Sequence, residues 1–258
     1  MTAKDAWNPD QYARFKQERE RPFYDLLKII HPPITSAVDL GCGIGELSLV
    51  LHKNLQIQMT LGIDSSPAML ANAFRLQASG ITFKAQRIED WQSQTGLDLI
   101  FSNAALQWVP NHPSLLARCV QTLNPGGQLA IQMPYNQDHR THTLAAELGR
   151  ESPFVEALQA YQHTFHILTI EDYAKLFNEL GLIQNNVIVK VYGHPMPSSL
   201  DLIEWVKGTL LTAYKSRLPE KIYEQFLAEY SRRLIAELGT HKPYFYPFKR
   251  IFLWAIRT

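Results

Sequence analysis

Ala37-Val38-Asp39-Leu40-Gly41-Cys42-Gly43-Ile44-Gly45-Glu46 reads as the end of a strand, a tight turn and the start of a helix. Ala37, Val38 and Leu40 form a short apolar run, three glycines follow within five residues, and Leu47, Leu49, Val50 and Leu51 continue as a helical pattern. In that order, backbone N–H groups and a helix N-terminus face a bound ligand. A dinucleotide-binding loop is spaced Gly-x-Gly-x-x-Gly. Here the spacing is Asp39-x-Gly41-x-Gly43-x-Gly45, so the third glycine comes one residue early. No Lys-Ser or Lys-Thr pair follows, which excludes a phosphate loop. Taken alone, the stretch also fits an ordinary glycine-rich connection.

Composition narrows what surrounds this turn. A chain of 258 residues with 46% hydrophobic and 19% charged residues suits one large α/β domain, or one with a sizeable insertion. With a net charge of +1 and no basic block, nothing points to nucleic acid or a membrane surface as partner. Cys42 and Cys119 form no metal or redox spacing, and a disulfide to Cys42 inside the turn would be awkward. A reduced, cytoplasmic protein is expected, and a monomer. Residues 1–10 are polar without a signal-peptide pattern, and no apolar run approaches the ~18 residues of a spanning helix.

Upstream of the turn, residues 7–31 read as a helical segment, opened by Trp7-Asn8-Pro9 and interrupted at Pro22 before Phe23, Leu26, Leu27 and Ile30. Downstream, Met59-Thr60-Leu61-Gly62-Ile63-Asp64 is a second strand whose terminal acid lies 19 positions beyond Gly45. Nucleoside-binding folds place a ribose-binding carboxylate about 20 residues past the loop, because one carboxylate accepts from both vicinal hydroxyls. Ser65-Ser66-Pro67 then reads as a helix N-cap with proline at the first helical position. A third strand spans 81–85 and a fourth 97–103, the latter an apolar run of buried parallel type. That strand runs into Ser102-Asn103-Ala104-Ala105-Leu106-Gln107-Trp108, at the sheet edge where α/β proteins place ligands. Asn124-Pro125-Gly126-Gly127 reads as a turn and 128–133 as a fifth strand. Such alternation predicts right-handed crossovers and a mostly parallel sheet.

Beyond Pro134 the rhythm breaks. Helices are expected over 141–149, 153–161 and 170–180, the last capped by Thr169 and closed by Gly181. An alternating strand over 182–192 ends at Pro195-Met196-Pro197-Ser198, followed by helices over 199–213 and 219–237 and a last strand over 250–256. His139 and His142 stand three apart, but no third ligand follows at partner spacing, so no metal is expected. No Gly-x-Ser-x-Gly elbow is present.

The acidic-x-Gly-x-Gly-x-Gly turn resembles the first motif of the class I S-adenosylmethionine (SAM) methyltransferases. Longer stretches resemble the trans-aconitate methyltransferases. These are Trp7-Asn8-Pro9-x-x-Tyr12-x-x-Phe15-x-x-Glu18-Arg19-x-Arg21-Pro22 before Leu26-Leu27, residues 62–69, and Leu106-Gln107-Trp108-x-Pro110-x-His112. So do Leu123-Asn124-Pro125-x-Gly127, Gln132-Met133-Pro134, and Tyr192-x-His194-x-Met196-Pro197-Ser198 with Ile203-x-Trp205-Val206. The resemblance covers essentially the whole chain. It implies a Rossmann-like α/β fold, with a mostly parallel seven-stranded sheet and helices on both faces. Residues 1–258 are expected to form a single domain, with the helical segment at 7–31 and helical lid insertions at about 135–168 and 198–242.

What the resemblance implies for function is methyl transfer from SAM to a carboxylate of trans-aconitate or a similar small polycarboxylate, giving a monomethyl ester and S-adenosylhomocysteine (SAH). Carried onto these positions, cofactor contacts are expected at Asp39, Gly41, Cys42, Gly43, Gly45, Asp64, Ser65, Met69, Ile88, Asn103, Ala104 and Tyr12. A carboxylate is already ionised at pH 7, so no general base is required and no acid–base catalytic residue is expected. Attack on the sulfonium methyl is an in-line displacement, promoted by holding the reacting atoms in near-attack geometry in a dry pocket. Gln107 and Trp108 are expected beside the methyl. A tricarboxylate carries about three negative charges, so cations and donors are needed, and Arg19, Arg21, His194, Arg250, Gln107 and Trp108 are the candidates.

Two positions depart from the family pattern. Where the family presents an Asp to the adenine amino group, this chain has Arg87, so only the backbone contact at Ile88 carries over, with Glu89 and Asp90 as alternatives for the side chain. After the tryptophan helix, Gly-x-Arg-Pro is replaced by Gly208-Thr209-Leu210-Leu211. The second departure keeps open the malonyl-carrier-protein methyltransferases of biotin synthesis, which also esterify a carboxylate and whose tail Lys242-Pro243-Tyr244-x-Tyr246 loosely resembles. Their partner is a carrier protein. A remoter alternative is a SAM-binding module without catalysis.

Overall fold

The computed structural model describes residues 16–162 and 164–258, with side chains from residue 20 onward. In chain order its elements begin with α1 (Lys16–Leu27), β1 (Ser36–Leu40), α2 (Glu46–Asn54), β2 (Met59–Asp64), α3 (Pro67–Ala73), β3 (Ile81–Ala85) and β4 (Leu97–Asn103). They continue with α4 (His112–Thr122), β5 (Leu123–Pro134), α5 (Arg140–Leu148), α6 (Phe154–Ala157), α7 (Ile170–Glu179) and β6 (Asn185–Met196). The last are α8 (Ser199–Lys207), α9 (Thr212–Lys215), α10 (Glu220–Leu238) and β7 (Tyr244–Ile256).

The seven strands form one sheet in the order β3-β2-β1-β4-β5-β7-β6. Pairs β1–β2, β2–β3, β1–β4 and β4–β5 are parallel, and β7 runs antiparallel to β5. The expected mostly parallel sheet is therefore what the chain forms. β1 is buried along its whole length, as a central parallel strand must be when both faces are covered. One apolar core joins Val38, Leu40, Ile100, Leu129 and Ile131 of the strands to Leu115, Leu116 and Cys119 of α4 and Tyr173 and Phe177 of α7.

Six element boundaries differ from expectation. Pro22 does not interrupt the first helix but lies inside α1. A proline there removes one N–H bond, and the packing of fully buried Phe23 and Leu26 holds the helix across it. Asn124-Pro125-Gly126-Gly127 is an excursion within β5 rather than a turn before it. Leu97 pairs with Leu123, and pairing resumes at Leu99 with Gln128. The excursion stays tied to the sheet because Gly126 N donates to Arg257 O at 2.7 Å and Arg257 N to Gly127 O at 2.8 Å. The expected helix at 199–213 is divided into α8 and α9 at Gly208, and that at 153–161 shortens to the single turn α6. β6 and β7 extend well past the expected 192 and 250 limits, because the Pro195 and Pro247 stretches remain extended.

By internal contacts the chain divides into two units. The sheet unit runs to Tyr135 and takes in His166–Lys190 and Lys249–Thr258; the helical unit comprises Asn136–Phe165 and Val191–Phe248. In the helical unit, Phe226 lies against Phe154, Tyr214 and Tyr230 at ring-centroid distances of 5.2, 4.9 and 6.4 Å. Tyr230 Oη donates to the Thr141 carbonyl at 2.9 Å. Ser198 opens α8 with a capping box, its backbone N–H and hydroxyl both donating to Asp201 Oδ2 at 2.9 and 2.7 Å. Arg233 makes a two-bond pair with Glu151, 2.7 Å each, and Arg140 joins Glu147 and Glu237. Among the described residues no helix is long and apolar enough to cross a membrane.

Candidate active site

In the order 3-2-1-4-5 the chain reverses direction of growth between β1 and β4. Ligands of doubly wound sheets bind outside the carboxyl ends of the strands at that point. Here those ends are the glycine turn after β1 and Asn103-Ala104 after β4. The two strands are tied together at this level by Ser102 Oγ, which donates to the Leu40 carbonyl at 2.7 Å.

The alternate glycines of the turn share one conformation. Gly41, Gly43 and Gly45 have φ of 83°, 56° and 79°, the left-handed region that glycine enters without steric cost. Gly41 is also crowded: a Cβ there would stand 2.2 Å from Ala105 Cβ. The chain after β4 thus closes onto the turn, with Ile88 Cδ1 3.6 Å from that same point. Gly41 N and Cys42 N both donate to Ile63 O at 2.9 Å, which moors the turn to β2.

Asp64 sits at the end of β2 and joins the turn directly. Its Oδ2 accepts from Gly43 N at 2.9 Å and its Oδ1 from Ser66 N at 2.8 Å. Each oxygen keeps further lone-pair capacity, so the half-buried carboxylate is held rigidly and still able to accept from two hydroxyls. The turn N–H of Gly43 is committed to a carboxylate, and a carboxylate at that place disfavours a pyrophosphate. Ser66 caps α3 by accepting from Met69 N at 3.3 Å, and the Met69 methyl lies 3.3 Å from the position a Gly43 Cβ would take. Ser65 is exposed.

Asp39 faces inward. It is buried, and Ser48 Oγ on α2 donates to its Oδ2 at 2.5 Å. Burial pushes its carboxyl up to about 7, against the pull of the Ser48 bond and with a further push from Asp64. Burial likewise raises the Cys42 thiol above its ordinary value, so it is held as an inert thiol.

After β4, Ala104 has a φ of 55° and its N donates to Gln132 O at 2.8 Å. Gln107 Nε2 donates back to Ala104 O at 2.7 Å, so the following 3-10 turn, Leu106–Trp108, is folded against the strand end. Asn103 Oδ1 and Gln107 Oε1 are buried acceptors without a donor among the described residues. The turn has a second anchor that sequence reading missed. His112 is 1% exposed, its Nε2 bonds the Leu106 carbonyl at 2.9 Å and its Nδ1 bonds the Tyr173 hydroxyl. A carbonyl only accepts, so Nε2 carries the proton and Nδ1 accepts from Tyr173. Burial lowers the pKa of this imidazole. The only signal in the sequence was the motif Leu106-Gln107-Trp108-x-Pro110-x-His112, without a partner for its histidine.

The remaining candidates sit on other elements. Trp108 is 42% exposed. Arg250 is 4% exposed on β7, its Nη1 donating to Gln132 Oε1 at 3.3 Å. His194, in the helical unit, is buried beside Trp205, with Phe248 and Tyr246 around it at 5.1, 6.1 and 6.5 Å. Arg21 is exposed on α1. Tyr12 and the Arg19 side chain lie outside the described residues. Arg87 points to solvent and pairs with Glu89 at 2.7 Å and Asp90 at 3.8 Å, so both acids proposed as its substitutes are engaged by it. His139 caps α5 by accepting from Thr141 N at 3.2 Å, and among the described residues no group of three His, Cys, Asp or Glu is placed to hold a metal.

Comparison with known proteins gives the same picture on a wider scale. The model of a methyltransferase domain family matches residues 12–183. The trans-aconitate 2-methyltransferase of Deinococcus radiodurans is 41% identical, over 97% of this chain and 98% of its own. Proteins of the same name from Acidovorax sp. (strain JS42) and Escherichia coli (strain SE11) are 36% and 35% identical, each over 98% of its own length and 97% and 98% of this chain. Among solved structures, the YcgJ protein of Bacillus subtilis superposes with a TM-score of 0.60 at 14% identity, over 91% of this chain and 98% of that one. The Haemonchus contortus phosphoethanolamine N-methyltransferase 2 in complex with S-adenosyl-L-methionine does so at 0.54 and 18% identity, over 94% of this chain and 52% of that one. These structural likenesses establish the fold.

Proposed function

The chain belongs to the trans-aconitate 2-methyltransferase family, and from that premise we propose that it esterifies a carboxylate of trans-aconitate with the methyl group of SAM. It is a SAM-dependent methyltransferase, and relatives of one name aligned end to end carry the choice of acceptor. The carrier-protein alternative is not favoured by any of these relatives.

The residues present fit the cofactor. Asp64 offers a fixed carboxylate with accepting capacity for the ribose hydroxyls, and Ile88, Ala105 and Met69 give apolar cover around the turn. The spare acceptors Asn103 Oδ1 and Gln107 Oε1 suit the cationic end of such a ligand. When bound, SAM supplies an electrophilic methyl on a sulfonium.

The chain's own part is binding and orientation. An ionised acceptor needs no base, and His112, the buried imidazole nearest the Leu106–Trp108 turn, has both ring nitrogens committed within the fold. It positions that turn instead of moving protons. Gln107 is held by Ala104, which fixes where its acceptor faces. We place recognition of the acceptor's carboxylates on Arg250, His194, Arg19, Arg21 and Trp108. The test is a parallel assay of methyl transfer to trans-aconitate and to malonyl carrier protein, with SAH titrated by calorimetry. Ester formed on trans-aconitate, with SAH heat, is expected; no SAH binding would sink the whole reading.

A further inference from the structure

We infer that Gln132 is a specificity-determining residue for the acceptor, its side-chain N–H group donating to a carboxylate oxygen beside Arg250; this rests on the reading in the preceding section. Gln132 lies two residues before the end of β5, and its side chain is fully buried. Its Oε1 accepts from Arg250 Nη1 at 3.3 Å. A guanidinium has donors only, so the amide has one possible orientation: the carbonyl toward Arg250 and the NH2 group away from it. Nε2 then has no acceptor among the described residues. Buried polar side-chain atoms are hydrogen-bonded in the large majority of cases, and one that is not marks a place that a ligand group or a water can fill.

The place is the corner already described. Gln132 is the register partner of Asn103 on β4, and its backbone carbonyl accepts from Ala104 N at 2.8 Å. The unsatisfied atoms there differ in sign. Asn103 Oδ1 and Gln107 Oε1 are acceptors and suit a cation, whereas Gln132 Nε2 is a donor standing with a guanidinium and suits an anion. A carboxylate satisfies Nε2 and lies next to the Arg250 charge; an apolar or cationic acceptor leaves the donor unmade. Gln132 thereby selects for a carboxylate at the strand end, and its own contact with Arg250 keeps both groups aimed together.

Gln132→Met removes the donor at nearly constant volume, and Gln132→Glu keeps an acceptor facing Arg250 but offers the ligand a like charge. Both are compared with the wild-type full chain for SAH affinity by calorimetry and for initial rates of ester formation against trans-aconitate concentration. SAH affinity within about threefold of wild type is expected, with KM for trans-aconitate raised about tenfold or more in Gln132→Met, as for loss of a hydrogen bond to a charged group. Gln132→Glu raises it further, and kcat changes less than KM in each. The Glu variant retains the Arg250 contact, so it reports even where the Met variant folds poorly. An unchanged KM in both variants overturns the inference, as does a loss of SAH affinity matching the loss of kcat/KM, which makes Gln132 a general support. A wild-type chain that binds SAH but esterifies no carboxylate overturns the acceptor reading and this inference with it.

Discussion

Gly43 donates its backbone N–H to Asp64 Oδ2 at 2.9 Å, so the glycine turn and the acid at the end of β2 are one piece of structure. The turn's conformation aims that N–H, and the carboxylate in return holds the turn. Asp64→Ala should therefore weaken SAH binding by about 2 kcal/mol or more, through the loss of charge-assisted hydrogen bonds to the ribose. Calorimetric titration checks this, and an affinity equal to wild type would reject the ribose role of Asp64.

Gly41 is constrained twice, by a φ of 83° and by Ala105 Cβ 2.2 Å from where its own Cβ would be. Gly126 shares the left-handed conformation, with a φ of 78°, but has nothing within 4 Å. Gly126→Ala should cost about 1–2 kcal/mol, the backbone contribution alone. Gly41→Ala adds a steric clash and should cost about 3 kcal/mol or more. Urea unfolding of the two variants separates the contributions; equal midpoints would mean that the chain after β4 yields freely.

The His112–Tyr173 bond predicts a pH dependence. His112 has a folded pKa lowered by burial from its ordinary 6.5. The imidazole is neutral in the fold, so its stabilising contribution is complete above about pH 6.5 and declines as pH falls, because the unfolded chain binds the proton first. His112→Phe should lose about 2–4 kcal/mol at pH 7.5 by leaving the Leu106 carbonyl and the Tyr173 hydroxyl unpaired. It should also flatten the stability profile between pH 7 and 5. Tyr173→Phe should cost less and keep the slope. A His112→Phe profile as steep as wild type would assign the slope to another group.

What could be read in advance follows from the range of the interactions involved. The turn at 41–45 and the Ser66-Pro67 cap are decided by residues next to one another, and both formed as read. Pro22 and Asn124-Pro125-Gly126-Gly127 misled because local propensity was overridden, by burial of Phe23 and Leu26 in one case and by pairing with Arg257 in the other. His112 and Tyr173 are 61 positions apart and Gln132 and Arg250 are 118 apart, so neither pairing leaves a spacing to read. Each side of both pairs was visible as a residue, and only the fold made them a relationship.

Asp39 gives the opposite pH signature to His112. Its carboxyl is pushed from 3.8 up to about 7, chiefly by burial, so the fold prefers it protonated. A raised folded pKa contributes stability that is complete below about pH 4 and is lost as pH rises toward 7. Asp39→Asn copies the protonated form, since an amide oxygen still accepts from Ser48 Oγ, and it has no proton to lose. The variant should match wild type near pH 4 and gain on it steadily to pH 7, by about 2–4 kcal/mol at the top of that range. Thermal unfolding of both proteins across pH 4–8 measures the difference directly. Curves that stay parallel would mean that Asp39 is ionised in the fold throughout, with Ser48 Oγ and solvent stabilising the charge.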